Sequence, residues 1–119
     1  LVDSKHHGLT FCTGSLGTLP DNDLPNMIRR FKDRIHFVHV RNVKITDFQS
    51  FYEVAHTDDT HINVREVMQA LVDIGYTGPL RPDHGRMIWG ETGRTGYGLY
   101  DRALAAMYLY GLWQGIQGR

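Results

Sequence analysis

The stretch Leu80–Tyr97, LRPDHGRMIWGETGRTGY, holds the densest polar chemistry of the chain: an aspartate, a histidine and arginines set around Pro82 and Gly85. It follows a short apolar lead, Gly78, Pro79 and Leu80, that reads as the end of a strand. Strand ends are where α/β proteins place their reactive groups. Asp83 and His84 are sequence neighbours, and in an extended segment neighbours point to opposite sides, so one can hold a metal while the other moves a proton. The competing reading of the same residues is a plain turn, with Asp83 as a cap, His84 solvated and Gly85 at positive φ.

Two further runs end on side chains able to join this pair. Leu9–Thr13 carries Cys12, and Ile35–Val40 carries His36 and His39 and is followed by Arg41. If all three runs are parallel strands, their ends share one rim, and Cys12, His39 and Asp83 converge there. A thiolate, an imidazole and a carboxylate together suit a borderline transition metal such as Mn²⁺, Fe²⁺ or Zn²⁺, whereas magnesium and calcium prefer oxygen alone. Each member has an ordinary alternative. A lone cysteine on an apolar strand commonly packs as core, and His36 and His39 have opposite parity, so only one faces inward. His39, nearer the strand end and next to Arg41 and Asn42, is the better candidate.

The elements that must position these residues follow a regular order. Residues 1–8 read as an irregular lead-in, and Leu9–Thr13 as a buried strand closed by Gly14. GSLGTLPDND forms a loop in which Asp23 caps a helix running to about Lys32, with Pro25 in its first turn and Met27, Ile28 and Phe31 on its apolar face. Ile35–Val40 is the second strand. Arg41 to Thr60 is a long polar excursion without a clear pattern, of the length usually reserved for function; within it FYEVAHTDDTH offers His56 as a lid or substrate-loop residue. Asn63 caps a helix through Ile74, with Val64, Val67, Met68, Leu71 and Val72 at helical spacing. Gly78–Asp83 is the third strand. The glycine-rich GETGRTGYG loop leads to a last helix, about Gly98 to Gln114, with Leu99, Ala103, Ala106, Met107 and Tyr110 along one stripe and Leu104, Tyr108, Leu112 and Trp113 on its flank.

Strand, helix, strand, helix, strand, helix is the cadence of a parallel α/β sheet. A complete (β/α)₈ TIM barrel needs ~250 residues, so 119 residues supply about three of eight units as a single partial domain over 1–119. A chain that begins at Leu1 rather than Met fits a piece of something larger. An exposed parallel edge and apolar helix faces favour association with missing segments or with another copy, a homo-oligomer.

Composition narrows the function. The formal net charge is zero, from 13 basic and 13 acidic residues, which gives no electrostatic case for nucleic acid or an anionic membrane. The longest apolar run, near Leu104–Trp113, is shorter than the ~20 residues that span a bilayer. One cysteine forms no internal disulfide, and no signal-peptide pattern opens the chain, so the cytoplasm is the expected compartment. No GxGxxG or P-loop follows a strand, which argues against a nucleotide site.

The strings GLTFCTGSLG, DRIHFVHVRN, GPLRPDHGRMIWGE and GYGLYDRALAAMYLYGLW, in that order from about Gly8 to Trp113, resemble the C-terminal third of the D-mannonate dehydratase family. These are sugar-acid lyases of the xylose isomerase-like TIM barrels, and RPDHGR is the most distinctive of the matching pieces. The resemblance implies dehydration of D-mannonate to 2-keto-3-deoxygluconate in hexuronate breakdown, with Mn²⁺ or Fe²⁺. It implies Cys12, His39 and Asp83 as metal ligands and His84 and Tyr97 as the proton-transfer pair, with Tyr100 the alternative tyrosine. The family's further histidine ligand comes from an earlier strand and has no counterpart here; His6 and His7 precede the first strand.

The chemistry agrees with these side chains. Removing water from a 2,3-diol beside a carboxylate means taking a proton from C2 and helping hydroxide leave C3. A metal stabilises the developing charge, a histidine can give or take a proton near neutral pH, and a tyrosine can do so once its pKa is lowered, here by the metal and Arg86 or Arg94. Arg41 and Arg86 are candidates to grip the substrate carboxylate, or else structural ion-pair partners. Against the metal-dependent lyase stand two other readings: a small non-catalytic α/β binding domain, and an inactive fragment of the lyase.

Overall fold

The computed structural model describes residues 2–47 and 50–119. Leu1 of the lead-in and Phe48 and Gln49 of the polar excursion lie outside the described residues. The elements run β1 (Leu9–Cys12), α1 (Thr13–Leu16), α2 (Leu24–Arg30), β2 (Ile35–His39), β3 (Val43–Asp47), β4 (Ser50–Glu53), α3 (Val64–Asp73), β5 (Leu80–Arg81) and α4 (Leu99–Ile116), with a 3₁₀ turn at Lys32–Arg34. Strands β1, β2 and β5 form one parallel sheet in that order. Each is followed, after intervening segments, by a helix, so strand ends of one polarity share a rim as expected.

The register fixes what meets at that rim. Cys12 lies opposite His39 across β1 and β2, and His39 opposite Arg81 across β2 and β5. β5 is shorter than the six-residue strand expected. Pro79 and Pro82 flank it and have no N–H to give the ladder, although the Pro79 and Arg81 carbonyls still accept from the Val38 and Val40 amides at 3.1 and 2.9 Å. Thr13, expected to end the first strand, instead opens α1.

The helices bury the outer side of the sheet. Asp23 caps α2 by accepting from the Asn26 amide at 3.1 Å, and Asn63 caps α3 by accepting from the Glu66 amide at 3.1 Å, each a side-chain oxygen satisfying an N–H that the first turn leaves unpaired. Ile28 of α2 and Val67, Met68, Ala70 and Leu71 of α3 meet Phe11 and Val38 in one core. At about 25 cal/mol per Å² this burial is the main term holding the layers together.

α4 corrects the expected stripe. Its buried line is Asp101, Ala105 and Leu109, with Tyr108, Leu112, Trp113 and Ile116 packed on the core beside it. Leu99, Met107 and Tyr110, expected inside, are exposed, as is Leu104. A helix apolar all round carries no periodic signal to choose a face, so contacts with α3 and the sheet decide it.

The polar excursion is also more ordered than its composition suggests. β3 and β4 pair antiparallel, with Val43 opposite Glu53 and Lys44 opposite Tyr52. Buried Asn42 secures the far side of this ribbon, its Nδ2 donating to the Ala55 and Asp58 carbonyls at 2.8 and 2.9 Å while its Oδ1 accepts from Thr60 at 2.7 Å. The alternation Val43, Ile45 against Lys44, Thr46 was the strand signal in a segment read as patternless. No helix among the described residues is long and apolar enough to cross a membrane.

Candidate metal centre and proton-transfer pair

The three strand ends bring Cys12, His39 and Asp83 together: each offers one ligand atom, and the three lie within 4.8 Å of one another. Cys12 Sγ is 3.9 Å from Asp83 Oδ2, and His39 Nδ1 is 3.3 Å from Asp83 Oδ1. Donors bound to a common ion at 2.0–2.3 Å sit roughly 3–4 Å apart, so the spacing fits. His39 Nε2 is buried with no hydrogen-bond partner, a state that native proteins seldom leave uncompensated. The donor set of sulfur, nitrogen and carboxylate oxygen suits a borderline divalent metal. Burial, the largest influence, lowers the His39 pKa below its ordinary value; Asp83 opposes this, and Arg81 and His84 add to it. The shift favours the neutral ring, the form that binds metal.

Asp83 and His84 do not point apart as the extended reading expected. Asp83 has φ +68°, a left-handed conformation, so strand alternation stops there and both side chains serve the same rim. His84 Nε2 lies 3.7 Å from Asp83 Oδ2. Asp83 is held in this turn by Arg81, whose Nη2 donates to Oδ1 at 2.8 Å.

Tyr97 reaches His84 through a closed loop. The Gly85 amide donates to the Gly96 carbonyl and the Gly98 amide to the Gly85 carbonyl, both at 3.1 Å, making a bridge of Gly85 and Tyr97. The His84 and Tyr97 rings come to 5.0 Å between centroids. Arg94 lies over the Tyr97 ring at 4.7 Å and Arg102 at 5.9 Å. Tyr100 instead stacks with Trp89 at 5.7 Å on the exposed surface, so the tyrosine beside His84 is Tyr97. Gly98 permits the close crossing: a Cβ there would lie 1.8 Å from the Arg86 carbonyl oxygen.

The substrate-side residues fall out differently. His56, expected on a lid, is only 5% exposed; its Nε2 lies 2.7 Å from the Val40 carbonyl oxygen and 3.3 Å from that of Pro82. That ring ties β2 to the segment after β5 and is not open to substrate. Arg41, expected to grip a substrate carboxylate, is already engaged by a protein one: Nε donates to both Glu53 oxygens at 2.9 and 3.1 Å, and Nη2 to Oε1. Burial opposes the Arg41 charge, and Glu53 more than offsets it, holding the guanidinium above its ordinary pKa. Arg86 forks onto Asp101 at 3.0 Å through both Nε and Nη2, so that edge of its guanidinium is held by a protein carboxylate. Arg41 and Arg86 nonetheless both line, with His84, Glu53, Tyr52 and Thr95, a depression of about 480 Å³.

Glu53 is the site residue that sequence reasoning passed over. It stands three residues before His56 in the same string, and its Oε1 lies 3.0 Å from His84 Nδ1. Its signal was parity within an unrecognised ribbon. A larger depression, about 640 Å³, runs along the open edge of β1 past Leu9, Phe11, Met27 and Phe31. It is apolar and away from the proton-transfer pair, and in a closed (β/α)₈ barrel that edge pairs with another strand. His6 and His7 precede β1, at whose far end Cys12 lies, and neither joins the three residues whose ligand atoms converge.

The sequence matches the family model for D-mannonate dehydratase (UxuA) over residues 1–119. It is 58% identical over 119 residues to mannonate dehydratase 2 of Halalkalibacterium halodurans, covering 98% of this chain and 34% of that protein. It is 59% identical over 119 residues to the mannonate dehydratase of Thermotoga maritima, covering 97% and 33%. Its fold superposes on the crystal structure of mannonate dehydratase from Streptococcus suis serotype 2 with a TM-score of 0.87 at 44% identity, over 97% of this chain and 34% of that one. A xylose isomerase domain protein from Planctomyces limnophilus aligns with a TM-score of 0.65 at 21% identity, over 94% and 37%, which speaks to the TIM-barrel type of fold alone. The chain thus spans about a third of the length of the curated relatives it matches. With the family model covering every residue and the rim motifs FCTGS, FVHVRN and RPDHG inside the matched region, the chain belongs to the D-mannonate dehydratase family.

Proposed function

We propose that a full-length enzyme carrying this chain dehydrates D-mannonate to 2-keto-3-deoxygluconate in hexuronate (glucuronate) catabolism, as a cytoplasmic hydro-lyase using Mn²⁺ or Fe²⁺. Residues 1–119 form one partial-barrel domain, the C-terminal βα units. The observation that carries the reading is the convergence of Cys12, His39 and Asp83 within 4.8 Å, directly beside the His84 and Tyr97 pair.

Cys12, His39 and Asp83 would hold the cation, which when bound supplies Lewis-acid stabilisation of the negative charge that builds as the C2 proton leaves. The protein's own residues do the rest. His84 and Tyr97 stand close enough to serve one substrate, one taking the proton from C2 and the other giving a proton to the departing C3 hydroxyl. The C2–H and C3–O bonds break, the lost groups leave as water, and the enol that remains becomes the 2-keto product. Arg86 contributes a cationic wall to the depression beside His84. The open β1 edge and the exposed apolar side of α4 favour burial against the rest of the barrel or a second copy, in keeping with a homo-oligomer.

The test is turnover of D-mannonate by the full-length enzyme with Mn²⁺ or Fe²⁺, alongside the 119-residue chain alone, which is expected to turn over none. His84→Asn should keep the metal and lower kcat by about 10²–10⁴-fold. Loss of metal with normal turnover after metal saturation would reverse the roles of Asp83 and His84. Absence of mannonate turnover in the full-length enzyme would sink the function.

A further inference from the structure

His84 has carboxylates near both ring nitrogens, but not equally near. Glu53 Oε1 lies 3.0 Å from Nδ1 as an ion-pair contact, whereas Asp83 Oδ2 lies farther off, 3.7 Å from Nε2. A neutral imidazole carries one N–H, and the partner of one nitrogen fixes the role of the other.

Glu53 is itself held from behind. Arg41 Nε bridges both its oxygens. The Arg41 backbone is clasped by buried Thr13, whose Oγ1 accepts from the Arg41 amide at 2.8 Å and donates to the Arg41 carbonyl at 2.7 Å. Gly14 makes room for the Arg41 stem, since a Cβ there would lie 2.3 Å from Cδ. The carboxylate therefore meets His84 from a fixed direction, and the line of contacts begins one residue after Cys12.

We propose that Glu53 is a positioning residue for His84: it accepts the Nδ1 proton and so holds the ring in the tautomer that leaves the Nε2 lone pair free to take the substrate's proton. That His84, and not Tyr97, takes the C2 proton is part of this proposal and rests on the dehydratase reading above; the tautomer does not. Glu53 touches neither substrate nor metal in this role. It acts through the ring, as the buried aspartate does in a serine-protease triad.

The experiment is ¹⁵N NMR of the full-length enzyme carrying this chain, labelled at histidine, at a pH where the ring is neutral, with the His84 signals assigned by their loss in His84→Asn. The parent should show Nδ1–H at His84. Glu53→Ala should move the ring toward Nε2–H, and the isosteric Glu53→Gln should give a mixture. In parallel, kcat for D-mannonate should fall by about 10²–10⁴-fold in Glu53→Ala, with KM within about threefold and metal content unchanged. Nε2–H in the parent, or an unmoved tautomer in Glu53→Ala and Glu53→Gln, would overturn the assignment. If the parent fails to turn over mannonate, the dehydratase reading falls while the tautomer result still decides Glu53.

Discussion

Asp101 is where the site loop is tied to the helix behind it, and Asp101→Asn tests that tie. The carboxylate is 3% exposed. Its Oδ2 accepts from the Arg86 amide at 2.7 Å and from Nε at 3.0 Å, and its Oδ1 accepts from Nη2 at 3.0 Å. An asparagine of the same shape keeps one acceptor and turns an N–H toward a group with only donors. Hydrogen bonds to charged groups are worth about 1.5–3 kcal/mol each, and breaking a buried pair costs about 3–5 kcal/mol. Arg86 is partly exposed, so its orphaned charge finds water, and the loss should be about 2–3 kcal/mol by the same reasoning. The readout is hydrogen exchange at the Arg86 amide in the full-length enzyme, a local opening that needs no two-state assumption. At 1.4 kcal/mol per tenfold, protection should drop by about 30- to 150-fold. The pH dependence has a defined sign. Burial alone would raise the Asp101 pKa, but its bonds to Arg86 outweigh burial and leave it below the ordinary value of about 3.8. The stabilisation is therefore fully present above that value and is lost as pH falls through the folded one. Protection within twofold of the parent in Asp101→Asn would refute the argument that this carboxylate anchors the loop.

Other expectations follow from the same geometry. Cys12→Ser should weaken retention of the added transition metal by at least about tenfold, read by competition with a chelator, because a hard hydroxyl replaces the thiolate; unchanged affinity would make Cys12 core filler. His56 is held neutral by burial, which lowers its pKa more than its carbonyl partners raise it. The unfolded chain then binds the extra proton first, so stability should decline as pH falls below about 6.5, and His56→Gln should flatten that part of a urea-midpoint profile. Gly98→Ala should cost about 1–3 kcal/mol, with loss of protection at the Gly98 amide that bridges to Gly85, since the added methyl meets the Arg86 carbonyl rather than a movable side chain.

What the sequence revealed, and what it concealed, divides along the range of the interactions. The caps at Asp23 and Asn63 and the core positions of α3 rest on contacts within a few residues, and they were legible. The trio Cys12, His39 and Asp83 was legible because parallel strands put their ends together whatever lies between. Arg41, Arg86 and His56 were recognised as polar residues near a rim, but their partners, Glu53, Asp101 and two backbone carbonyls, lie 12 to 26 residues away in sequence. Chemical type identifies a group capable of binding an anion; only the fold says whether an internal carboxylate already occupies it. Glu53 was concealed for the complementary reason: with β3 and β4 unrecognised, its parity could not be assigned.

The rim also shows why Asp83 adopts a conformation that aspartate visits uncommonly. Continued extension after Arg81 would send Asp83 and His84 to opposite faces, separating the candidate metal ligand from the candidate proton-transfer group. A left-handed residue costs of order 1 kcal/mol, less for aspartate than for bulkier side chains. That cost is offset by Arg81, which holds Oδ1, and by the bridge from Gly85 back to Tyr97, which closes the turn behind His84. The strained residue and the closed loop thus serve a single geometric end: Asp83 and His84, adjacent in the chain, present a carboxylate and an imidazole on one side of the sheet, and the fifteen residues from Asp83 to Tyr97 return their tyrosine to within 5.0 Å of that same histidine ring.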